Sequence, residues 1–196
     1  LQSVTETADE RAMLRQLLER AVSAVSAETA MPRTLPLSQL GRTVVIAVGK
    51  GAADMMRVAR QNSGGHPIEG LIVTREGHLL PQGCDWPGIR VIEAGHPYPN
   101  DKSIEAAEAA LALARSLQAG DRMIVLLSGG GSALLAAPAA GVSLADKQEV
   151  TRALLQSGAT IEEINRVRKH LSRIKGGRLV LSGGEHAAEL EAIEPD

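Results

Sequence analysis

Four short apolar runs, each closed by a glycine-bearing polar turn, limit what this chain can fold into. They are Thr43–Val48 (TVVIAV), Gly70–Thr74 (GLIVT), Arg90–Ala94 (RVIEA) and Met123–Leu127 (MIVLL). Each is too short for a core helix. The first and last are continuous rather than alternating, the pattern of a strand covered on both faces. Helical periodicity fills the gaps. Leu14, Leu17, Leu18, Ala21, Val22 and Val25 predict an amphipathic helix over 8–30, ended by Met31-Pro32. Further helices are predicted over 52–60, over 102–118 with Asp101 as cap, over 133–137, and over 143–156 from a Ser cap. Thr160 with Glu163 makes a capping box for a helix reaching about Arg173. The closing stretch, LSGGEHAAELEAIEPD, is acidic and shows no clear strand. Strands alternating with helices predict an α/β fold with a mostly parallel sheet.

The chain has 196 residues, the size of one domain. Phe is absent and Trp86 and Tyr98 are the only aromatics, so the core is aliphatic and no platform for base stacking exists. A formal net charge of −2 gives no whole-chain attraction to polyanions. Together these argue against a nucleic-acid partner. Cys84 is the only cysteine, so no intrachain disulfide forms; an inert thiol and a reducing compartment are expected. The first residues carry acids and no apolar signal region, and no apolar run reaches the ~18 residues that span a bilayer. The expected setting is cytoplasmic, without a membrane partner.

In open parallel sheets ligands gather beyond the carboxyl ends of the strands. The residues there are Gly49-Lys50-Gly51, Arg75-Glu76-Gly77-His78, Gly95 to Asp101, and Ser128-Gly129-Gly130-Gly131-Ser132. Consecutive glycines turn N–H groups inward and let an anion approach bare backbone. A helix beginning near Ser132 would add its N-terminal partial charge. SGGGS matches neither a Walker A loop nor GxGxxG, and a plain tight turn stays open beside the anion-binding reading. Lys50 lies between glycines at the end of the first strand, either as a mobile point charge for a phosphate or carboxylate or as a solvated loop lysine. Between Asn165 and Arg178 stand six Lys or Arg and no acid. Asn165, Arg168, Lys169 and Ser172 are spaced to share one helical face, which suits a polyanion or simply a basic surface. His96 is the best placed histidine, in Gly95-His96-Pro97. Neither it nor His78 has a second ligand at metal spacing, so no metal-binding residue is assigned.

VGKGAADMM, GLIVTREGH, EAGHPYPND, SGGGSALL and NRVRKHLSRIKGGRL, in this order, resemble the N-terminal region of the bacterial-type glycerate 2-kinase family, often labelled hydroxypyruvate reductase. The resemblance runs over about residues 8–179. It implies a Rossmann-like three-layer α/β/α domain over 1–180 and an enzyme that uses ATP and Mg2+ to phosphorylate the 2-hydroxyl of D-glycerate. It maps the family's proposed catalytic lysine onto Lys50 and the glycine-rich loop onto Ser128, Gly129, Gly130, Gly131 and Ser132. The basic helix falls on Arg168 and Lys169, with Lys175 just after it. His96 is the candidate for the base. A homodimer is compatible with this reading. Residues 181–196 depart from the family as an atypical acidic tail, and the family's C-terminal domain with its aspartate-rich stretch is absent, which implies a truncated chain. Two other readings stay open. One is a non-catalytic nucleotide- or anion-binding remnant. The other is an NAD(P)H-dependent hydroxypyruvate reductase, against which GKGAAD and the lack of an acid after Thr74 both speak.

Overall fold

The computed structural model describes residues 8–78, 86–184 and 190–193. Cys84 lies outside them. The four runs form β1 (Thr43–Val48), β2 (Ile68–Arg75), β3 (Ile89–Ala94) and β4 (Arg122–Leu127). A fifth strand, β5 (Leu190–Ile193), joins them, and the order is β3-β2-β1-β4-β5, parallel at every pairing. β5 corrects the expectation of a strandless tail. The edge of β4 left free by β1 accepts any backbone that pairs in register, so the ladder outweighs the weak strand propensity of Leu-Glu-Ala-Ile.

All six residues of β1 are buried, as a continuous apolar run requires. Alternate side chains feed two cores. Val44, Ile46 and Val48 pack with Leu71, Val73 and the alanines of α4 (Asp101–Arg115). Val45 and Ala47 pack with Ile72, Met55 and Met56 against α3 (Ala52–Gln61). The result is three layers, helix on sheet on helix. Alanines at 106, 107, 110 and 114 let α4 lie close to the sheet, while methionines fill the other side without Phe.

The amino-terminal region divides into α1 (Ala8–Ala24) and α2 (Ala27–Ala30). The amphipathic spacing holds, but the stripe does not enter the core. Met13, Leu14, Leu17, Leu18 and Val22 are each at least 50% exposed, and the main contact of α1 is with α2. The cap of α4 is Asn100 rather than Asp101: its side chain accepts from Ser103 N while Ser103 Oγ accepts from Asn100 N. After β4 the helix is shorter than expected, α5 (Gly131–Leu134). Then come α6 (Leu144–Gln156), opened at the Ser143 cap read in the sequence and completed as a capping box by Asp146, α7 (Ile161–His170), opened by the Thr160–Glu163 box, and α8 (Arg178–Leu181). Helix α7 stops before Ser172, so Ser172 is not on its polar face. It is buried instead, and its hydroxyl accepts from Ile174 N and Lys175 N.

The amino-terminal ends of β1 and β4 are fastened together by charge. Asp121 accepts from Arg42 N at 2.8 Å, Nε at 3.1 Å and Nη2 at 2.8 Å. Among the described residues no helix is long and apolar enough to cross a membrane.

Candidate functional site

The connections from β1 run outward through β2 to β3, whereas β4 lies on the other side of β1. The strand order thus switches sides between β1 and β4, and their carboxyl ends open the crevice in which such sheets take ligands. Gly49-Lys50-Gly51 and Ser128–Ser132 both lie there, joined edge to edge. Ser128 N donates to Val48 O at 2.9 Å, Lys50 N donates to Gly129 O at 3.0 Å, and Gly51 N donates to Ser128 Oγ at 2.9 Å. Ser128 is thereby a brace between the loops, its hydroxyl oxygen already accepting from backbone. The close approach requires glycine at 49. A Cβ there would meet Ser128 Oγ at 2.2 Å and Ser128 O at 2.5 Å, and φ is +124°.

Gly130 takes φ +97°, outside the range of most side chains, and it turns the loop under His96. A Cβ at Gly130 would meet the His96 ring atoms Cδ2 and Nε2 at 3.1 Å and Lys50 Cε at 3.8 Å. Lys50 and His96, distant in sequence, therefore flank the same glycine. His96 is exposed overall, yet it is held below the ordinary imidazole value, first by partial desolvation and then by the positive charges of Lys50 and Arg75. The ring is neutral at pH 7 in consequence and available to accept a proton.

On the other side of the loop lies a cavity of about 500 Å³. Ser128, Gly130, Gly131 and Ser132 form one wall. Asn165, Arg168, Lys169 and Lys175 supply the polar part of the facing wall, and Ile174, Leu179 and Val180 the apolar part. The turn after α7 builds that wall. Ser172 Oγ holds the backbone of 174 and 175, Arg173 N donates to Ala137 O at 2.8 Å, and Arg178 Nη1 donates to Lys169 O at 2.6 Å. The anchors fold Lys175 back over the glycine loop.

Of the residues singled out in the sequence, Ser128, Gly130, Gly131, Ser132, Arg168 and Lys169 share this cavity. Lys50 and His96 both lie beside Gly130 but do not line the cavity. Gly129 is exposed, with open space around it. The expected contribution of a helix dipole near Ser132 falls away, because α5 has only four residues and cannot build one. Sequence reading missed Lys147. It is 6% exposed, on the inward face of α6 one turn from buried Thr151, and its Nζ donates to Leu171 O at 3.2 Å. The only sign of it in the sequence is that spacing. Arg168 is lowered by desolvation; Lys147 is lowered by desolvation and by Arg168. Lys175 is pushed down to about 7 by desolvation, then by Arg168 and Lys147. These cations feel one another, and among the described residues none of them has a carboxylate partner. Nor do three His, Cys, Asp or Glu side chains gather anywhere among the described residues.

Known proteins share this arrangement of chain. A protein of Agrobacterium vitis named putative hydroxypyruvate reductase is 51% identical over 140 residues, covering 71% of this chain and 35% of that protein. D-glycerate 2-kinase of Thermotoga maritima is 42% identical over 163 residues, covering 83% of this chain and 38% of that protein. A crystal structure of glycerate kinase from Thermotoga maritima superposes with a TM-score of 0.78 at 37% identity, covering 96% of this chain and 44% of that one. The chain spans between a third and two fifths of the length of these curated relatives. A family model described as Domain of unknown function (DUF4147) matches residues 13–189. By that match and by these relatives, the chain belongs to the DUF4147 family and is related to the glycerate 2-kinases.

Proposed function

We propose that this chain supplies the glycine-loop half of an ATP-dependent glycerate 2-kinase. The supporting observation is that Gly130 both lies against Lys50 and His96 and lines the cavity with Arg168, Lys169 and Lys175, so that two sets of groups meet at one glycine loop. Phosphoryl transfer between two anionic reactants needs this, because catalysis there is mostly positioning and charge neutralisation. The glycerate 2-hydroxyl oxygen forms a bond to the γ-phosphorus of ATP while the bond from that phosphorus to the β,γ-bridging oxygen breaks. ADP leaves, and the hydroxyl proton passes to a base. Neutral His96 is suited to accept it. Lys50, beside it, steadies the charge on the moving phosphoryl group. The N–H of Gly130 contacts an oxyanion, and Arg168 and Lys169 close on the polyphosphate. Mg2+ would accompany ATP and neutralise part of its phosphate charge.

Production of ADP that depends on D-glycerate, measured on the purified chain, is the expected result. Lys50→Met lowers kcat by roughly 10²-fold or more, the usual cost of removing one charge-stabilising group. Unchanged turnover in that variant would remove Lys50 from the mechanism. The unpaired cations lining the cavity would equally serve a second reading, a non-catalytic nucleotide- or anion-binding module. ATP binding with no ADP release would select it.

A further inference from the structure

We propose that Lys147, Arg168 and Lys175 form a polyphosphate subsite of the cavity, with Lys175 as the residue that touches the anion and Lys147 as a positioning charge behind it. The proposal rests on the kinase reading for its ligand, and on geometry for its place. Three side chains from three separate segments converge: Lys147 from α6, Arg168 from α7, and Lys175 from the turn anchored by Ser172 and Arg178. Arg168 and Lys175 line the cavity beside Gly130 and Gly131. Lys147 reaches the carbonyl of Leu171, at the carboxyl end of α7, and so fixes the base of the same turn.

Buried cations are normally paired, because each unpaired one costs desolvation energy. Like charges gathered without a carboxylate among the described residues are unfavourable for the empty chain. A multiply charged anion offsets both costs at once. The number of charges selects the ligand class. A hydroxy acid such as glycerate brings one negative charge, which Lys50 alone can match. A polyphosphate brings several, and three cations suit it. The groups that face Lys175 are Lys147 from α6 and Arg168 from α7, both positive, with Lys169 and Arg178 at the same turn. In the free chain desolvation first, and then the positive charges of Arg168 and Lys147, drive the Lys175 proton off near neutral pH. An anion bound there draws it back.

The test uses inorganic tripolyphosphate, with D-glycerate as the contrasting ligand, titrated calorimetrically into the full chain at pH 8 in two buffers of different ionisation enthalpy. Tripolyphosphate binding with uptake of a fraction of a proton is expected for the native chain. In Lys175→Gln the affinity falls at least tenfold and the uptake disappears, while D-glycerate binding stays within twofold. Lys147→Met weakens tripolyphosphate by severalfold and reduces the uptake. Lys175→Met melts higher than the native chain without ligand, yet gains less from tripolyphosphate. A merely structural lysine would lower the melting temperature instead. If tripolyphosphate binds both variants as tightly as it binds the native chain, the subsite is wrong and the kinase reading stands. If it does not bind the native chain at all, the subsite is overturned together with the nucleotide half of that reading. If it binds as described but no ADP forms from ATP and glycerate, the subsite holds and the kinase reading fails.

Discussion

The sharpest consequence of the joined loops concerns Gly49. Substitution by alanine there meets two separate penalties. The first is conformational: φ of +124° is outside the range of an L side chain, and a residue forced there costs about 1–2 kcal/mol. The second is steric. The new Cβ would lie 2.2 Å from Ser128 Oγ, 2.5 Å from Ser128 O and 2.7 Å from Ser128 C. A rotated hydroxyl relieves the first contact only; the other two are backbone, so the loops must part. Their parting loosens Ser128 N to Val48 O, Lys50 N to Gly129 O, and Gly51 N to Ser128 Oγ. At ~0.5–1.5 kcal/mol for each hydrogen bond, the total with the conformational part is about 3–6 kcal/mol.

Gly64→Ala separates the two penalties. Gly64 also has positive φ, +59°, but nothing lies within 4 Å of its Cβ position. It bears the conformational cost alone, ~1–2 kcal/mol. Urea unfolding of the two variants and the native chain reads the difference directly, and thermal melting places Gly49→Ala on the order of 10 °C or more below native. Equal destabilisation of the two variants would show that β1 and β4 are not pressed together at their carboxyl ends, and the crevice described above would lose its floor.

The remaining predictions concern pH, packing and exposure. Lys175 titrates at about 7 in the folded chain against an ordinary lysine value of 10.5. Between those values the unfolded chain binds the extra proton, so stability of the ligand-free chain rises with pH across that window. Lys147, also lowered, adds in the same direction. His96 is lowered as well, but its contribution is complete by the ordinary histidine value and falls below this window. A gain on the order of 1–2 kcal/mol from pH 7 to pH 9 is expected in urea midpoints, and Lys175→Met flattens the profile. A profile that falls over this range would contradict the unpaired cluster. Leu71→Ala, at a site with no exposure, should cost ~2–5 kcal/mol. Leu17→Ala, on the outward stripe of α1 at 50% exposure, should change stability by less than ~0.5 kcal/mol; a core-sized loss at Leu17 would mean that α1 packs elsewhere.

Local chemistry explains which features the sequence disclosed. β1 and β4 were legible because burial on both faces forces continuous apolar runs, and their register follows from parallel pairing. The cap at Thr160 was legible because a capping box is written within four residues, and that at Ser143 because a Ser opens the helix; Asp146 completes its box only in the structure. What failed was non-local. Leu14 and Leu18 have the right spacing for a core face, but spacing does not say whether another layer reaches it. Asp101 and Asn100 are both good caps; the choice fell to Asn100 because its side chain also accepts from Gly95 N at 3.0 Å and donates to Glu76 at 2.7 Å. The tail's strand depends on a free edge of β4, which no property of Leu190–Ile193 announces. Ser172 left the helical face because α7 ends at His170, so that its hydroxyl serves the next turn.

The same distinction separates the two halves of the candidate site. Lys50 and the glycines stand beside strands in the sequence, and the topology of any such sheet carries them to the crevice. Lys147 and Lys175 reach it only through α6, α7 and an irregular turn; the basic run marked Lys175, but nothing in the neighbours of Lys147 marks it. Their cost to the empty chain is set against the opposite end of the sheet. There Arg42 and Asp121 hold β1 and β4 together with complementary charge. At the carboxyl end the described cations stand without acids and the loops depend on glycine. One end of the same two strands is thus arranged for stability, and the other, as proposed, for an anion that no described residue supplies. A mutation that stabilises the second end by removing a cation is therefore expected to reduce anion binding in the same measure.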